Sequence, residues 1–470
     1  MDSAATPLAQ AVDASASAWQ PHIIAFVCHW CTYAGADMAG TTRRIYPPNV
    51  RILRFPCTGR MSPLFILRAF EQGADGVLVS GCHPGDCHYV QGNYFARRRF
   101  AVFRALLEFL GVDPRRLQFS WVSASEGVKW ARVVEEVTQG VRDAGPISPW
   151  GRVQDHGRLA LVRFASPADQ AGRRPGEDER APVLAELRRA ASELLSSGRI
   201  SRLIGYGESS LPGKIVPVFL DNVADASVLA WTDGCSANLA AYLPAAMRSG
   251  KVGIIVKSCD SKAVVGLLQE NQIRREDVVL IGVPCTGVRV NGRLASKCFN
   301  CDGQVSPLCD LSAGGARPAA AAMGVQVAVP PDVRDADVGY IESLPLLDRW
   351  NFWQNQFARC LRCYACRAVC PLCYCETCIA EKHRPQWIST SIDGKGNTAW
   401  NVVRAFHLAG RCIGCDECSR VCPANIRLDL LNRRLAIEVE RRFGYRAGQD
   451  AVASPPLASF RQDDSEEFIR

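Results

Sequence analysis

Between residues 22 and 143 short apolar runs alternate with longer segments of helical periodicity. HIIAFV, VRILRF, GVLVSG and LQFSWV are predicted strands, and SPLFILRAFEQG and ARRRFAVFRALLEFLG are predicted helices. That alternation describes a parallel sheet covered on both faces. A Pro-, Gly- and charge-rich stretch over 145–181 reads as a linker with one strand, RLALVRF, inside it. Over 182–340 a second α/β pattern follows. ISRLIGY, KIVPVFL, SVLAW, VGIIVK and VVLIGV are its predicted strands, with helices at NLAAYLPAAMRSG and SKAVVGLLQENQI. Residues 346–445 carry helical patterns only. The polar ends, 1–20 and 446–470, are expected to be disordered. The expected architecture is an open, flavodoxin-like parallel-sheet domain at 21–144, a second α/β domain and an α-helical C-terminal domain.

Composition changes the picture through cysteine. The chain has 470 residues, enough for about three domains, and 22 cysteines. Its N-terminus lacks the basic start and apolar core of an export signal, and no apolar stretch approaches the ~20 residues that cross a bilayer. A cytoplasmic chain of this size uses cysteines as thiolate ligands, not as a secreted disulfide framework. The net charge of +8 is modest. Runs such as Arg97, Arg98 and Arg99 read as solvated helix faces, and no nucleic-acid site is expected.

The sharpest motifs are CLRCYACRAVCP and CIGCDECSRVCP, which set Cys360, Cys363, Cys366 and Cys370 before one proline and Cys412, Cys415, Cys418 and Cys422 before another. Three thiolates at two-residue spacing wrap one corner of a 4Fe-4S cube. The fourth, three residues on and followed by proline, crosses to the neighbouring cube. Cys360, Cys363, Cys366 and Cys422 thus form one expected quartet, and Cys412, Cys415, Cys418 and Cys370 the other. Tetrahedral zinc needs neither the third close cysteine nor the proline. In the first domain Cys28 and Cys31 follow the first predicted strand, Cys57 the second, and Cys82 and Cys87 the third; loops after parallel strands converge at one sheet edge. In the middle region Cys259 and Cys285 again follow strands, with Cys298 and Cys301 close behind.

The segments FVCHWCTYAGADMAG and PCTGRMSPLFILRAFEQGADGVLVSGCHPGDCHYVQGN resemble the delta subunit of methyl-viologen-reducing hydrogenase over about residues 22–143. That resemblance implies a 2Fe-2S cluster passing electrons between a hydrogenase or dehydrogenase and a heterodisulfide-reductase-type flavoprotein. Five cysteines compete for its four ligand places. KSCDSKA, VPCTGV and KCFNC are similar to the beta subunits of deazaflavin-coenzyme-reducing hydrogenases and dehydrogenases, which implies a 4Fe-4S cluster on Cys259, Cys285, Cys298 and Cys301. Members of that family bind FAD, but their glycine-rich segment near Leu239 is replaced here by DGCSAN. The C-terminal region is similar to the heterodisulfide-reductase-C-like helical ferredoxin domain.

One four-ligand 2Fe-2S site and three cubes leave six cysteines: one in the first domain, Cys235, Cys309, Cys373, Cys375 and Cys378. Cys235 reads as a small buried hydrophobe. Cys309 is an alternative ligand in the middle domain, and PLCYCETC is read as either a supporting element or a further metal site. His29, His83, His88 and Asp86 flank the first cysteine set; loop capping is expected of His29 and His83. Trp350, Phe352, Trp353 and Phe357 read as core. No Ser-His-Asp set, paired-carboxylate signature or phosphate-binding lysine loop appears. The leading expectation is an electron-transfer protein serving a hydrogenase, formate dehydrogenase or heterodisulfide-reductase-like partner. The alternatives are an FAD-dependent catalytic protein acting on a deazaflavin or nicotinamide, and a zinc-stabilised binding protein.

Overall fold

The computed structural model of the chain describes residues 19–148, 150, 177–299, 301, 308–314 and 335–470. In the first domain β1 (Ile23–Cys28), β2 (Val50–Phe55), β3 (Gly76–Gly81) and β4 (Leu117–Trp121) form a wholly parallel sheet in the order β2-β1-β3-β4. Helices α1 (Thr32–Thr41) and α4 (Gly127–Ala144) cover one face, where Val27, Leu78, Trp130 and Val134 are buried together. The other face is covered by α2 (Pro63–Glu71) and α3 (Gly92–Phe109). Ser62 caps α2 by accepting from the Leu64 amide, with Pro63 at the first helical position, where its missing N–H costs nothing.

In the middle domain α5 (Glu177–Ser196) precedes β5 (Arg202–Glu208) and β6 (Ile215–Leu220), followed by the single turn α6 (Leu243–Ala246), β7 (Val252–Val256), α7 (Ser258–Gln269) and β8 (Val278–Gly282). A short hairpin, β9 (Arg289–Val290) and β10 (Arg293–Leu294), leads to the turn α8 (Ser296–Phe299) and to β11 (Leu311–Ser312). The main sheet has the order β11-β8-β7-β5-β6, with β6 antiparallel to β5 at the edge.

Three expectations fail here for local reasons. The linker does not extend to 181, because Val183, Leu187, Ala191 and Leu194 recur at helical spacing and bury α5 in the middle core. RLALVRF lies outside the described residues. SVLAW is no strand: Leu229 and Trp231 are drawn into the core, and the Ala230 amide donates singly to the Tyr206 carbonyl at 2.8 Å. NLAAYLPAAMRSG does not form one helix either, since Pro244 sits inside it and only α6 is α-helical, with tighter turns before and after.

The C-terminal domain comprises α9 (Ala336–Ser343), α10 (Leu346–Ala358), α11 (Ala365–Ala368), α12 (Gly394–His407), α13 (Glu417–Arg420) and α14 (Leu428–Phe443). It packs on both α/β domains. Against the first, Phe103 meets Phe406 at 5.2 Å between ring centroids and Phe109 meets Trp353 at 5.5 Å, in one continuous core that also holds Trp350, Phe352 and Phe357. Backbones come close enough that a Cβ on Gly111, at φ 94°, would stand 2.2 Å from the Leu346 carbonyl oxygen. Against the middle domain, Leu372 and Leu408 enter its core and Arg411 is bound to Glu270.

The C-terminal segment after Arg446 is ordered, contrary to its polar composition. Ile469 makes a parallel bridge with Phe119, the Arg470 amide donates to the Phe119 carbonyl at 2.9 Å, and Phe468 stacks on Phe100. Arg97 and Arg98 are not solvated: they are 2% and 4% exposed, and bind Glu466 and Asp464. The charged tail is held because buried guanidinium groups on α3 need those carboxylates.

Candidate metal centres

The two C-terminal motifs adopt the same backbone. In the first, Arg362 (φ 54°) and Tyr364 (φ 58°) are left-handed; in the second, Gly414 (φ 68°) and Asp416 (φ 51°) occupy the equivalent places. Each loop then enters a single helical turn, α11 or α13. A left-handed conformation costs a residue with a Cβ about 1 kcal/mol, and such strain concentrates at functional loops. Cys360, Cys363 and Cys366 line a small cleft together with Cys422 and Pro423. Cys412, Cys415 and Cys418 line a different space, and Cys370 is with them. The fourth cysteine of each motif therefore stands with the three of the other.

That second space is a cavity of about 420 Å³, and its wall also contains Cys259, Cys285, Cys298 and Cys301 of the middle domain. Cys259 opens α7 just after β7, Cys285 follows β8, and Cys298 lies in α8. Two cysteine quartets from two domains thus face one volume. Among the described residues no three His, Cys, Asp or Glu side chains close on one point as a single ion would require. The thiols instead surround a space larger than one ion fills. Burial pushes Cys259 and Cys418 up to about 12 and Cys285 up to about 11. Such thiols keep their protons until a cation takes the proton's place, which is the chemistry of a metal cradle. N–H donors already point at sulfur: Asn432 Nδ2 is 3.6 Å from Cys418 Sγ, the Gly414 amide 3.5 Å from Cys412 Sγ and the Val288 amide 3.3 Å from Cys298 Sγ.

In the first domain the loops after β1, β2 and β3 bring cysteines together at one sheet edge. Cys28 Sγ is 3.5 Å from Cys82 Sγ and Cys57 Sγ is 3.7 Å from Cys87 Sγ, while Cys31 also hydrogen-bonds Cys82. The bond from Cys82 lowers the Cys28 thiol to about 6 against the effect of burial, and Cys82 is raised in turn. Gly92 at the start of α3 lies against this set: a Cβ there would stand 2.4 Å from Cys57 Sγ and 3.3 Å from Cys87 Sγ. His83 binds Glu126 at 2.7 Å, whereas His88 stacks on Trp30 with centroids 3.8 Å apart.

The remaining cysteines divide. Cys235 is fully buried in the middle core, and Cys309 packs against Gly282 at the end of β8 and does not line the cavity. Cys373 leans on Cys370, Cys375 is exposed, and Cys378 accepts the amide that caps a short turn. PLCYCETC is not one cradle. Sequence reasoning missed the buried cations around the cavity: Lys257 pairs with Asp260 at 2.7 Å, Lys297 reaches Glu417 at 3.5 Å, and Arg404 projects from α12. A lone arginine in the apolar run WNVVRAFHLAG was the available signal for the last.

An open parallel sheet with cysteines gathered at its edge, joined to a helical domain with paired cysteine motifs, defines the class: an iron-sulfur electron-transfer protein among the oxidoreductases. The chain belongs to the methyl-viologen-reducing hydrogenase delta-subunit family, whose match spans residues 23–145. It is 52% identical over 128 residues to an F420-non-reducing hydrogenase iron-sulfur subunit of Archaeoglobus profundus, covering 27% of this chain and 93% of that one. Against the corresponding vhc iron-sulfur subunit of Methanococcus voltae the identity is 48%, covering 27% and 89%. A third relative is the larger polypeptide of a ferredoxin/F(420)H(2)-dependent CoB-CoM heterodisulfide reductase from Methanosarcina acetivorans, 43% identical over 141 residues, or 30% of this chain and 18% of that one. The same domain therefore occurs both as nearly a whole protein and as a small part of a longer one.

Proposed function

We propose that the chain is an intracellular electron relay that fuses three iron-sulfur modules, at 21–144, 182–340 and 346–445, between a hydrogenase or formate-dehydrogenase-type enzyme and a heterodisulfide-reductase-like partner. The first module would hold a 2Fe-2S cluster on four of Cys28, Cys31, Cys57, Cys82 and Cys87. Cys360, Cys363, Cys366 and Cys422 would hold one 4Fe-4S cube, and Cys370, Cys412, Cys415 and Cys418 a second. Cys259, Cys285, Cys298 and Cys301 would hold a third. When bound, such clusters supply one-electron carriers whose potentials follow burial, charge and hydrogen bonds to sulfur.

The observation that carries this reading is the single cavity faced by quartets from two domains. A chain whose cysteines only stiffened separate domains would have no reason to leave two quartets open to one space. The domain contacts do the positioning: Arg411 to Glu270, and Ser296 to Asp416 at 2.8 Å, fix the facing walls. Partner specificity is supported by the relatives, which are named as hydrogenase and heterodisulfide reductase components. Among the described residues no helix is long and apolar enough to cross a membrane.

The test is reduction of the anaerobically purified chain by a hydrogenase preparation, followed by paramagnetic resonance. The relay reading requires both cube-type and 2Fe-2S signals to appear without any soluble hydride carrier. Stoichiometric FAD, with clusters reduced only after a deazaflavin or nicotinamide is added, would replace it with a catalytic flavoprotein.

A further inference from the structure

Arg404 is 4% exposed, yet among the described residues no carboxylate pairs with it. Its Nη2 donates to the carbonyl of Cys366 at 2.8 Å, and its Nε has no acceptor. The side chain lines the cavity beside Cys370, Cys412, Cys415 and Cys418. Its charge is felt most strongly by Cys418, Cys370 and Cys366, sulfurs assigned to two different quartets. The other buried cations differ in kind: Lys257 has Asp260 and Lys297 has Glu417.

An uncompensated buried guanidinium costs several kcal/mol, and it stays protonated at any working pH. Its counter-charge must come from something the folded protein holds nearby. Eight cysteine thiolates in two sets, carrying more negative charge than the iron they bind neutralises, are the available anion. Resting on the relay reading above, we infer that Arg404 is the shared counter-cation of the two C-terminal cubes, a positioning residue that raises both reduction potentials together and keeps them matched. Each reduction adds one electron, takes up no proton and makes no bond. Stabilisation of the added charge is therefore electrostatic, and a cation beside both sets favours both reduced forms. The unpartnered Nε–H supplies a further donor of the kind that raises a cluster's potential.

The experiment is an anaerobic redox titration of the full chain followed by paramagnetic resonance, for wild type, Arg404→Met and Arg404→Lys. With Met, the reduction equilibrium of both C-terminal cubes should fall about tenfold, which is ~59 mV per cube, while the 2Fe-2S centre of the first domain does not move. Lys should recover most of the shift. If Met prevents assembly, iron equivalent to both cubes should be lost while Lys retains it. Unchanged potentials, or a shift or loss confined to one cube, would overturn the inference. Absence of cubes from the wild-type chain would instead remove the relay reading on which it rests.

Discussion

Arg98 closes a two-pronged ion pair on Asp464, with Nε 2.5 Å and Nη2 2.9 Å from the two carboxylate oxygens. The pair joins α3 of the first domain to a tail more than 350 residues later in the chain. Breaking one side leaves a buried charge, so Asp464→Ala should cost on the order of 3 kcal/mol. With Arg98→Met added, the total should be less than the sum of the single changes. Hydrogen exchange measured by mass spectrometry gives the readout: amides of residues 456–470 should exchange faster in Asp464→Ala, together with Trp121, whose amide donates to the Arg470 carbonyl.

Partnership between cysteines can be read from iron content without locating any cluster. Cys370 shares its cavity with Cys412, not with Cys360. Cys370→Ser combined with Cys412→Ser should lose about four irons, as either does alone. Cys370→Ser combined with Cys360→Ser should lose about eight. Equal losses from the two double variants would contradict the crossed pairing.

Gly92 has no room for a side chain, because a Cβ would press on Cys57 Sγ at 2.4 Å. Gly92→Ala should therefore displace Cys57 or unwind the first turn of α3. The 2Fe-2S signal should weaken or vanish, with the cube signals intact. An unaltered 2Fe-2S spectrum would show that Cys57 is the cysteine outside the ligand set or that α3 yields easily.

Glu438 on α14 is 1% exposed and accepts from Arg434, Arg441 and Arg442. Burial alone would raise its carboxyl, but those three hydrogen bonds outweigh it and bring the group from 4.5 down to about 2. A depressed carboxylate stabilises the fold fully above 4.5 and loses that contribution as pH falls toward about 2. Glu438→Gln should thus be less stable than wild type at neutral pH by on the order of 3 kcal/mol. The gap in urea midpoints should close through the acid window.

What the sequence disclosed and what it hid differ in physical kind. The strands of the first sheet and the helices α2 and α3 are visible because local periodicity and one buried face specify them. The cysteines after strands are visible because parallel topology gathers such loops. Arg97 and Arg98 were read as solvated, since nothing local announces a carboxylate over 350 residues away. SVLAW has strand composition, but tertiary packing of Leu229 and Trp231 overrides it. The cavity shared by Cys259 and Cys370 depends on how two domains dock, and no window of sequence contains both.

The central claim is tested most directly by counting iron and acid-labile sulfide in the freshly isolated, oxygen-protected chain. One 2Fe-2S and three 4Fe-4S centres amount to about 14 irons per chain, with as many sulfides and little zinc. A folded protein holding no iron, or holding zinc without sulfide, would contradict the account.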